Sequence, residues 1–339
     1  MGWKVSASLA DRVIAHNNSQ PRETILLVDC RGRIFAVLGG IPPRAKDWED
    51  VIARASRAFK TTYDASTYAP AHLFHRRGDY SFRNYGFSHG GGQVRPSNIA
   101  ITGGKNKKAV EHLLNDGDML RVAGHTGVLF RSFAYKMSAE YQALLKDLTQ
   151  RDGDLKPPPH PNPGGGFWAA ATTNTGPATC AKPHKDHQNY APGWCAITPF
   201  GEFNPDQGGD LILYEIGLRI RFPPGATILI PSAIITHANL PIHPGETRYS
   251  LVQYTAGALF RYKHNGFKND TEMEARGKDP QERKASIQKQ EEDRKVRQKE
   301  GLDLYTHYDE LARGDYKREV LGDLSDLSDP PSDDEKKTQ

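Results

Sequence analysis

Seven short apolar segments follow one another between residues 167 and 262, and no helical pattern interrupts them. They are FWAAATT, GWCAITPF, DLILYEI, LRIRF, ATILIP, AIITHA and TRYSLVQYTA. Each has the length and the β-branched or aromatic content of a strand, and turn-forming residues separate them. Consecutive strands with short connections pair antiparallel. The pattern therefore predicts a β-sandwich or β-barrel in this part of the chain.

The segments before and after residues 167–262 predict mainly helices and loops. The expected elements are a hairpin at 23–38, helices near 46–60, 106–115 and 137–149, a short apolar segment at 121–131, an irregular stretch at 64–100, and a linker or rigid loop at 156–166. Residues 270–300 are charged and lack an apolar stripe, which predicts a solvated or partly disordered helix. The acidic end of the chain is expected to be disordered.

These patterns divide the chain into three parts. We expect an N-terminal α/β flanking region with a basic and aromatic loop at 1–155, a β core at 156–267, and a charged helical extension with a disordered acidic tail at 268–339. The fold class that they predict is α+β.

Cysteine content and charge narrow the class of protein. The 339 residues include three cysteines and no C-x-x-C pair, which argues against a disulfide framework or a cysteine-rich zinc module. No apolar run reaches the roughly 18 residues that span a bilayer, so we expect an intracellular protein with no membrane partner. Residues 1–267 have a net charge of +9 and residues 268–339 a net charge of −5. A basic core suits a polyanionic partner.

The heptapeptide PHKDHQN at 183–189 concentrates candidate metal ligands. Residues i and i+2 of a strand face the same side, so His184 and Asp186 are expected to point into the barrel while Lys185 points out. A zinc pair of His184 and His187 is the weaker alternative. Residues i and i+3 of a strand face opposite sides, and no cysteine completes such a set.

A third ligand has to come from a distant strand. His237 ends an apolar segment, where an inward side chain is expected, and this favours it over His243. His184, Asp186 and His237 then form a triad of two histidines and one carboxylate. Such a triad occupies one face of an octahedral Fe(II) ion and leaves three positions for a co-substrate and oxygen.

An arginine follows the third ligand on the next predicted strand. Its planar fork holds a carboxylate through two parallel hydrogen bonds, so Arg248 suits the far carboxylate of 2-oxoglutarate. Ser250 lies two residues further along, on the same face, and is expected to donate to that carboxylate. The order H-x-D, His, Arg is the pattern of the double-stranded β-helix (jelly-roll) dioxygenases.

The segments HKDHQN and TRYSLVQY resemble the TET/JBP family of nucleic-acid-modifying dioxygenases that use Fe(II) and 2-oxoglutarate. The segments HGGGQVRPSN and GGGFWAAATTNTG are similar to those of the family's compact fungal members, whose genes often accompany transposons. The resemblance covers about 85–265. It implies a double-stranded β-helix core, with His184, Asp186 and His237 as iron ligands and with Arg248 and Ser250 holding 2-oxoglutarate.

The same resemblance implies that the substrate is a methylated base flipped out of DNA. Asn189 would contact its polar edge and Tyr254 would stack on it. Two departures leave the base open among 5-methylcytosine, the first choice, thymine and N6-methyladenine. Ala256 stands where animal TET proteins have a base-contacting histidine, and the large cysteine-rich domain of those proteins is absent.

The stretch 75–95 mixes basic and aromatic residues. Arginine binds phosphate, and aromatic rings stack on bases or wedge between them. The stretch therefore predicts DNA contact, with Arg83 and Arg95 as substrate-binding residues. The alternative is a lid that its aromatic residues pack onto the barrel.

The leading interpretation is a monomeric nuclear enzyme that oxidises the methyl group of a DNA base. One alternative keeps the chemistry and changes the substrate to a protein side chain or a small molecule. Another is a catalytically silent DNA-binding relative. A silent protein has no physical need of both His237 and Arg248.

Overall fold

The computed structural model describes residues 13–14, 24–274 and 279–313. Its strands are β1 (Val13–Ile14), β2 (Ile25–Val28), β3 (Ile34–Gly40), β4 (Phe82–Ser88), β5 (Ser97–Asn98), β6 (Ala170–Asn174), β7 (Cys195–Phe200), β8 (Leu211–Leu213), β9 (Leu218–Ile220), β10 (Thr227–Ile230), β11 (His237–Asn239) and β12 (Tyr249–Tyr254). Its helices are α1 (Trp48–Ala65), α2 (Pro70–Leu73), α3 (Gly104–Leu114), α4 (Gly117–Phe133), α5 (Tyr135–Arg151), α6 (Gly257–His264), α7 (Asp270–Glu274), α8 (Pro280–Asp303) and α9 (Tyr308–Arg313).

The strands form two sheets. The large sheet has the order β2-β3-β10-β7-β12-β6-β4-β5 and the small sheet the order β1-β9-β8-β11. All pairs are antiparallel except β1 with β9. Each of the seven segments predicted between 167 and 262 overlaps one of these strands, and the predicted hairpin at 23–38 is β2–β3. The predicted α+β class with a jelly-roll core is confirmed.

Alternation along the strands explains how the sheets pack. On β7, Cys195 and Ile197 lie in one apolar cluster with Leu211 and Ile220 of the small sheet. Ala196, between them, packs on the opposite side with residues of α4 and α5. The central strand therefore has two buried faces, which is why it reads as a continuous apolar run.

Helices cover the outer face of the large sheet. Phe59 of α1 packs between Phe200 of β7 and Tyr249 of β12, with ring centroids 4.8 Å and 5.6 Å away. The predicted short apolar segment at 121–131 is part of the helix α4, whose first turn is capped by the Asp116 carboxylate. Most of α4 is buried, and a helix that is apolar on most sides shows little periodicity in its sequence.

Part of the stretch expected to be irregular is a regular strand. Residues 82–86 of β4 pair with β6, and the strand continues the large sheet. Gly86 permits this pairing, since a Cβ there would lie 2.2 Å from the carbonyl oxygen of Ala169. Strands β2, β3 and β4 thus extend the sheet built by the 156–267 segments.

The charged extension returns to the core at its far end. Helix α8 is exposed over most of its described side chains, but Tyr305 beyond it is 4% exposed within an apolar cluster. The backbone N–H of Ile34 donates to Thr306 O (2.9 Å), and Glu310 accepts from Tyr135 and Lys136. The predicted disordered tail lies outside the described residues. Within those residues, none of the helices combines the length and apolar character needed to cross a membrane.

Candidate active site

The two histidines of the predicted triad lie opposite each other on adjacent backbone segments. The N–H of His184 donates to His237 O (3.1 Å), and the N–H of His237 donates to His184 O (3.0 Å). This pair of bonds forms an isolated antiparallel bridge. Strand β11 begins at His237, so the small sheet holds the backbone of His237, and the bridge to His237 holds the backbone of His184.

Both imidazoles are oriented by the same kind of bond. His184 Nδ1 lies 2.8 Å from Lys182 O, and His237 Nδ1 lies 3.0 Å from Ile235 O. A carbonyl oxygen only accepts, so each Nδ1 carries the proton and each Nε2 offers a lone pair. Burial and the neighbouring His237 lower the pKa of His184 to about 4, which keeps it in the neutral, metal-binding form.

Asp186 completes the donor set. Its Oδ1 lies 3.8 Å from His184 Nε2 and its Oδ2 lies 3.9 Å from His237 Nε2. The ligand atoms of the three residues lie within 4.8 Å of one another, the arrangement that a single metal ion requires. Two neutral imidazoles and one carboxylate on one side of a site are the donors that Fe(II) oxygenases use.

The local structure around these ligands differs from the expected strand. Residues 183–189 form a loop with isolated bridges at His184 and Asn189, and Asp186 is held by its N–H donating to Ser232 O (2.9 Å). Lys185 is predicted to point out, and in the structure its Nζ pairs with Glu215 at 2.8 Å. His187 is exposed and His243 lies on an exposed turn, so neither joins the cluster.

Arg248 is buried behind the site with part of its fork unused. Its side chain is among the largest fully buried ones, at 1% exposure. Nη1 donates to Thr179 O (3.0 Å), whereas Nε and Nη2 are buried without a partner. Burial lowers the pKa of Arg248 to about 10, so the guanidinium stays charged at neutral pH. Two unpaired nitrogens of one buried fork fit a carboxylate, which is the 2-oxoglutarate fit that the sequence predicts.

A cavity of about 610 Å³ joins these elements. Its wall includes the triad and, from β12, Ser250, Val252 and Tyr254, which alternate onto one face of the strand. Arg248 is not in the wall itself, but Thr179, whose carbonyl it binds, is. The volume lies in the range of small-molecule and cofactor sites. Fe(II) and 2-oxoglutarate are the cofactors that this site fits.

Asn189 and Ala256 face each other at the wall of the same cavity. They form an isolated antiparallel bridge, and the N–H of Gly257 donates to Gln188 O (2.8 Å). The amide Nδ2 of Asn189 donates to Ser232 Oγ (2.9 Å), which leaves its Oδ1 as an acceptor. The position at which the sequence departs from animal TET proteins is thus adjacent to the predicted base-contacting residue.

The two arginines predicted to bind substrate lie outside this cavity. Arg83 is buried in β4, where it lines a second, smaller cavity next to the first. Arg95 is exposed on the loop between β4 and β5 and lines neither of the two described cavities. The structure therefore assigns these two residues to different environments.

Arg77 is a site residue that the sequence did not single out. It lies on a tight turn in which His75 and Gly78 exchange backbone hydrogen bonds, and its O accepts from the N–H of Lys182. Its Nη2 forms an ion pair with Asp186 Oδ1 at 2.6 Å. The sequence marks Arg77 only as one of several basic residues in the stretch 75–95, and no local pattern connects it to Asp186.

Comparison with known proteins finds solved structures that resemble part of this chain. No protein-family model and no curated protein matches the chain. Among solved structures it is similar to NgTET1 in complex with 5mC DNA, with 12% identity and a TM-score of 0.46 over 72% of this chain and 82% of that one. It is also similar to an oxidoreductase of the 2OG-Fe(II) oxygenase family from Burkholderia pseudomallei (15% identity, TM-score 0.30, 53% and 70% covered) and to OsALKBH1 (12%, 0.31, 68% and 100%). The metal-site assignment stands on its own donor geometry.

Proposed function

We propose that the protein is an Fe(II)- and 2-oxoglutarate-dependent dioxygenase that oxidises the methyl group of a modified base in DNA, as the TET/JBP resemblance implies. The observation that carries the chemistry is one cavity that contains a His-Asp-His donor set and is backed by a buried arginine with two unpaired nitrogens. Removing a charged group from water is costly unless a partner compensates it. Such an arrangement therefore favours ligand binding over a purely structural role.

His184, Asp186 and His237 would hold Fe(II). Together with 2-oxoglutarate it would supply an oxidation in which one atom of O2 enters the substrate C–H bond and the other enters succinate, with release of CO2. Arg248 would bind the far carboxylate of 2-oxoglutarate through Nε and Nη2. Ser250 Oγ accepts from Asn174 Nδ2 (2.8 Å), so its own proton remains to be donated to the same carboxylate.

The opposite part of the cavity receives the base. Tyr254 supplies an aromatic ring for stacking, and the free Oδ1 of Asn189 accepts a hydrogen bond. An acceptor at this point suits the exocyclic amine of 5-methylcytosine or N6-methyladenine better than the O4 carbonyl of thymine. The base has to leave the duplex to enter, which costs a few kcal/mol and is offset by stacking and hydrogen bonding in the pocket. The compact fungal subtype and a nuclear location belong to the same proposal.

One assay separates this function from its alternatives. The protein is incubated with Fe(II), 2-oxoglutarate and methylated DNA, and succinate and oxidised nucleosides are measured together. Both products are expected, and both are expected to be lost in His184→Ala. Succinate without an oxidised base would point to a different substrate, and neither product would point to a silent DNA-binding protein. Activity that survives in His184→Ala would remove the triad assignment.

A further inference from the structure

A second cavity, of about 60 Å³, lies beside the first one and shares Asn84 and Ile99 with it. Its wall also contains Arg83, His72 and Thr102. A volume of this size holds a few water molecules or one small oxyanion. It is separate from the metal centre, because none of the three metal ligands lines it.

Arg83 is the buried charge of this cavity. Arg83 is 5% exposed. Of its side-chain nitrogens only Nη2 donates a hydrogen bond, to the carbonyl oxygen of Thr67. The face of the guanidinium lies over the Tyr68 ring, with 4.5 Å from Cζ to the ring centroid. Nε and Nη1 are buried without a partner. Two unpaired donors on one guanidinium are a substantial desolvation cost unless an anion occupies the cavity.

The other polar groups of the wall agree with an anion. His72 also has a buried Nδ1 without a partner, and its ring packs edge-on against Phe82, with centroids 5.6 Å apart. No carboxylate is among the described residues that line the cavity. The wall is therefore positive at Arg83 and otherwise apolar or neutral.

The exposed part of the cavity wall is close in sequence to a group of lysines. Ala100 and Thr102 of its wall are exposed, and helix α3 begins two residues later with Lys105, Lys107 and Lys108 in its first turns. Lys107 lies 3.9 Å from Glu111, and all three lysines are exposed. A strand of nucleic acid that follows these lysines would reach the cavity with its backbone while a base enters the larger one.

We propose that the second cavity is a phosphate-binding subsite, in which Arg83 binds a phosphodiester group of the strand whose base enters the main cavity. The assignment rests on the proposed function for the identity of the ligand but not for the existence of an anion site. Arginine is suited to this role because it stays charged when buried and its N–H groups donate strong hydrogen bonds to phosphate oxygens. Inorganic phosphate presents the same oxygens and is the probe for the site alone.

The first experiment measures inorganic phosphate binding to the full chain by calorimetry and by its effect on Tm. Arg83→Gln is expected to weaken binding about tenfold to a hundredfold, since a hydrogen bond to a charged group contributes one to two powers of ten. Arg57→Gln, which removes an exposed arginine from α1, is the matched control and is expected to bind like the parent. Equal binding by the Arg83→Gln and Arg57→Gln variants would overturn the proposal.

A structural role for Arg83 predicts a different result. If Arg83 only stabilised the fold, Arg83→Gln would lower Tm equally with and without phosphate. The anion site predicts that the Tm difference between the parent and the variant widens as phosphate is added. Ala100→Phe, at the exposed mouth, is expected to weaken phosphate binding while leaving Arg83 in place. This second variant keeps the proposal testable should Arg83→Gln fail to fold.

The second experiment identifies the source of the phosphate. Methylphosphonate, which is uncharged, replaces each phosphate next to the methylated base in turn. One position is expected to weaken DNA binding about tenfold in the parent and to have no effect in Arg83→Gln. Phosphate binding without such a position would show a site for a free anion and would overturn the nucleic-acid assignment. Phosphate binding with no base oxidation in any DNA would show the anion site intact and the proposed function wrong.

Discussion

Arg248 and Arg83 are both buried and both keep two unpaired nitrogens, yet their surroundings differ. The backbone of Arg248 is held by one neighbouring segment, because its N–H donates to Pro177 O (2.7 Å) and its O accepts from Thr179 N–H (3.1 Å). Arg83 sits in β4, next to the edge strand β5, and lines a cavity whose wall includes the exposed Ala100 and Thr102. The unpaired nitrogens also differ, being Nε and Nη2 at Arg248 and Nε and Nη1 at Arg83. We therefore propose different ligands for the two arginines, an enclosed co-substrate for Arg248 and a phosphate group for Arg83.

The largest expected effect comes from substituting each of the two arginines in turn and comparing the variants in the same assay. Arg248→Gln is expected to raise the KM for 2-oxoglutarate by at least about a hundredfold, since losing one partner of a buried charge pair costs several kcal/mol. Arg83→Gln is expected to leave that KM unchanged. Succinate formation at varied 2-oxoglutarate measures both. An equal rise in the two variants would show that the two cavities do not have separate ligands.

The next largest expected effect is on the pH dependence of stability and comes from the buried His125. His125 of α4 lies against Gly40 O and the Trp48 ring, and burial lowers its pKa to about 4. The unfolded chain binds this proton near pH 6.5 and the folded chain only near pH 4, so stability falls as the pH drops through that window. The loss is on the order of 3 kcal/mol by pH 4.

Urea unfolding between pH 7 and pH 4 measures this slope. His125→Gln, which does not titrate, is expected to flatten it whatever the intrinsic stability of the variant. An unchanged slope would place the acid sensitivity elsewhere, for example among the ionisable residues of the two cavities. The experiment thus distinguishes a pH dependence of stability caused by His125, which burial keeps neutral, from one caused by ionisable residues of the cavities.

Substitution of Tyr254 tests whether its ring contacts the base or 2-oxoglutarate in the main cavity. Tyr254→Ala is expected to lower kcat/KM for methylated DNA about tenfold to a hundredfold, since stacking of a base on an aromatic ring contributes about 1–3 kcal/mol. Tyr254→Phe keeps the ring and is the matched control. Succinate formation without DNA is expected to be equal in the parent and both variants. A loss of that basal turnover in Tyr254→Ala would place the ring beside 2-oxoglutarate instead.

Much of this arrangement follows from local sequence patterns. Period-two alternation predicts that Ser250 and Tyr254 share a face, and both line the cavity. The seven strand segments are predictable because each is short, apolar and bounded by turn residues. His237 is favoured over His243 by its place at the end of an apolar run, and it is the one that lies beside His184 and Asp186.

Other features depend on contacts between distant segments. Residues 183–189 bring two ligands together through a single bridge to His237, not through a regular strand. The burial of Arg83 follows from the pairing of β4 with β6, which the basic and aromatic composition of the stretch 75–95 obscures. Helix α4 is buried on most sides and so lacks a periodic signal. In each case the deciding interaction lies far along the chain.

Arg77 gives the smallest predicted effect and concerns a cation beside the metal site. Its guanidinium is 2.6 Å from Asp186 Oδ1, so a metal ion that binds this carboxylate meets a positive charge already in place. Arg77→Gln is expected to tighten Mn(II) or Co(II) binding about tenfold in the absence of 2-oxoglutarate, because that repulsion is removed. Arg76→Gln, at the neighbouring exposed position of the same turn, is expected to leave the metal Kd unchanged. Weaker metal binding in Arg77→Gln would instead show that Arg77 orients Asp186 for the metal.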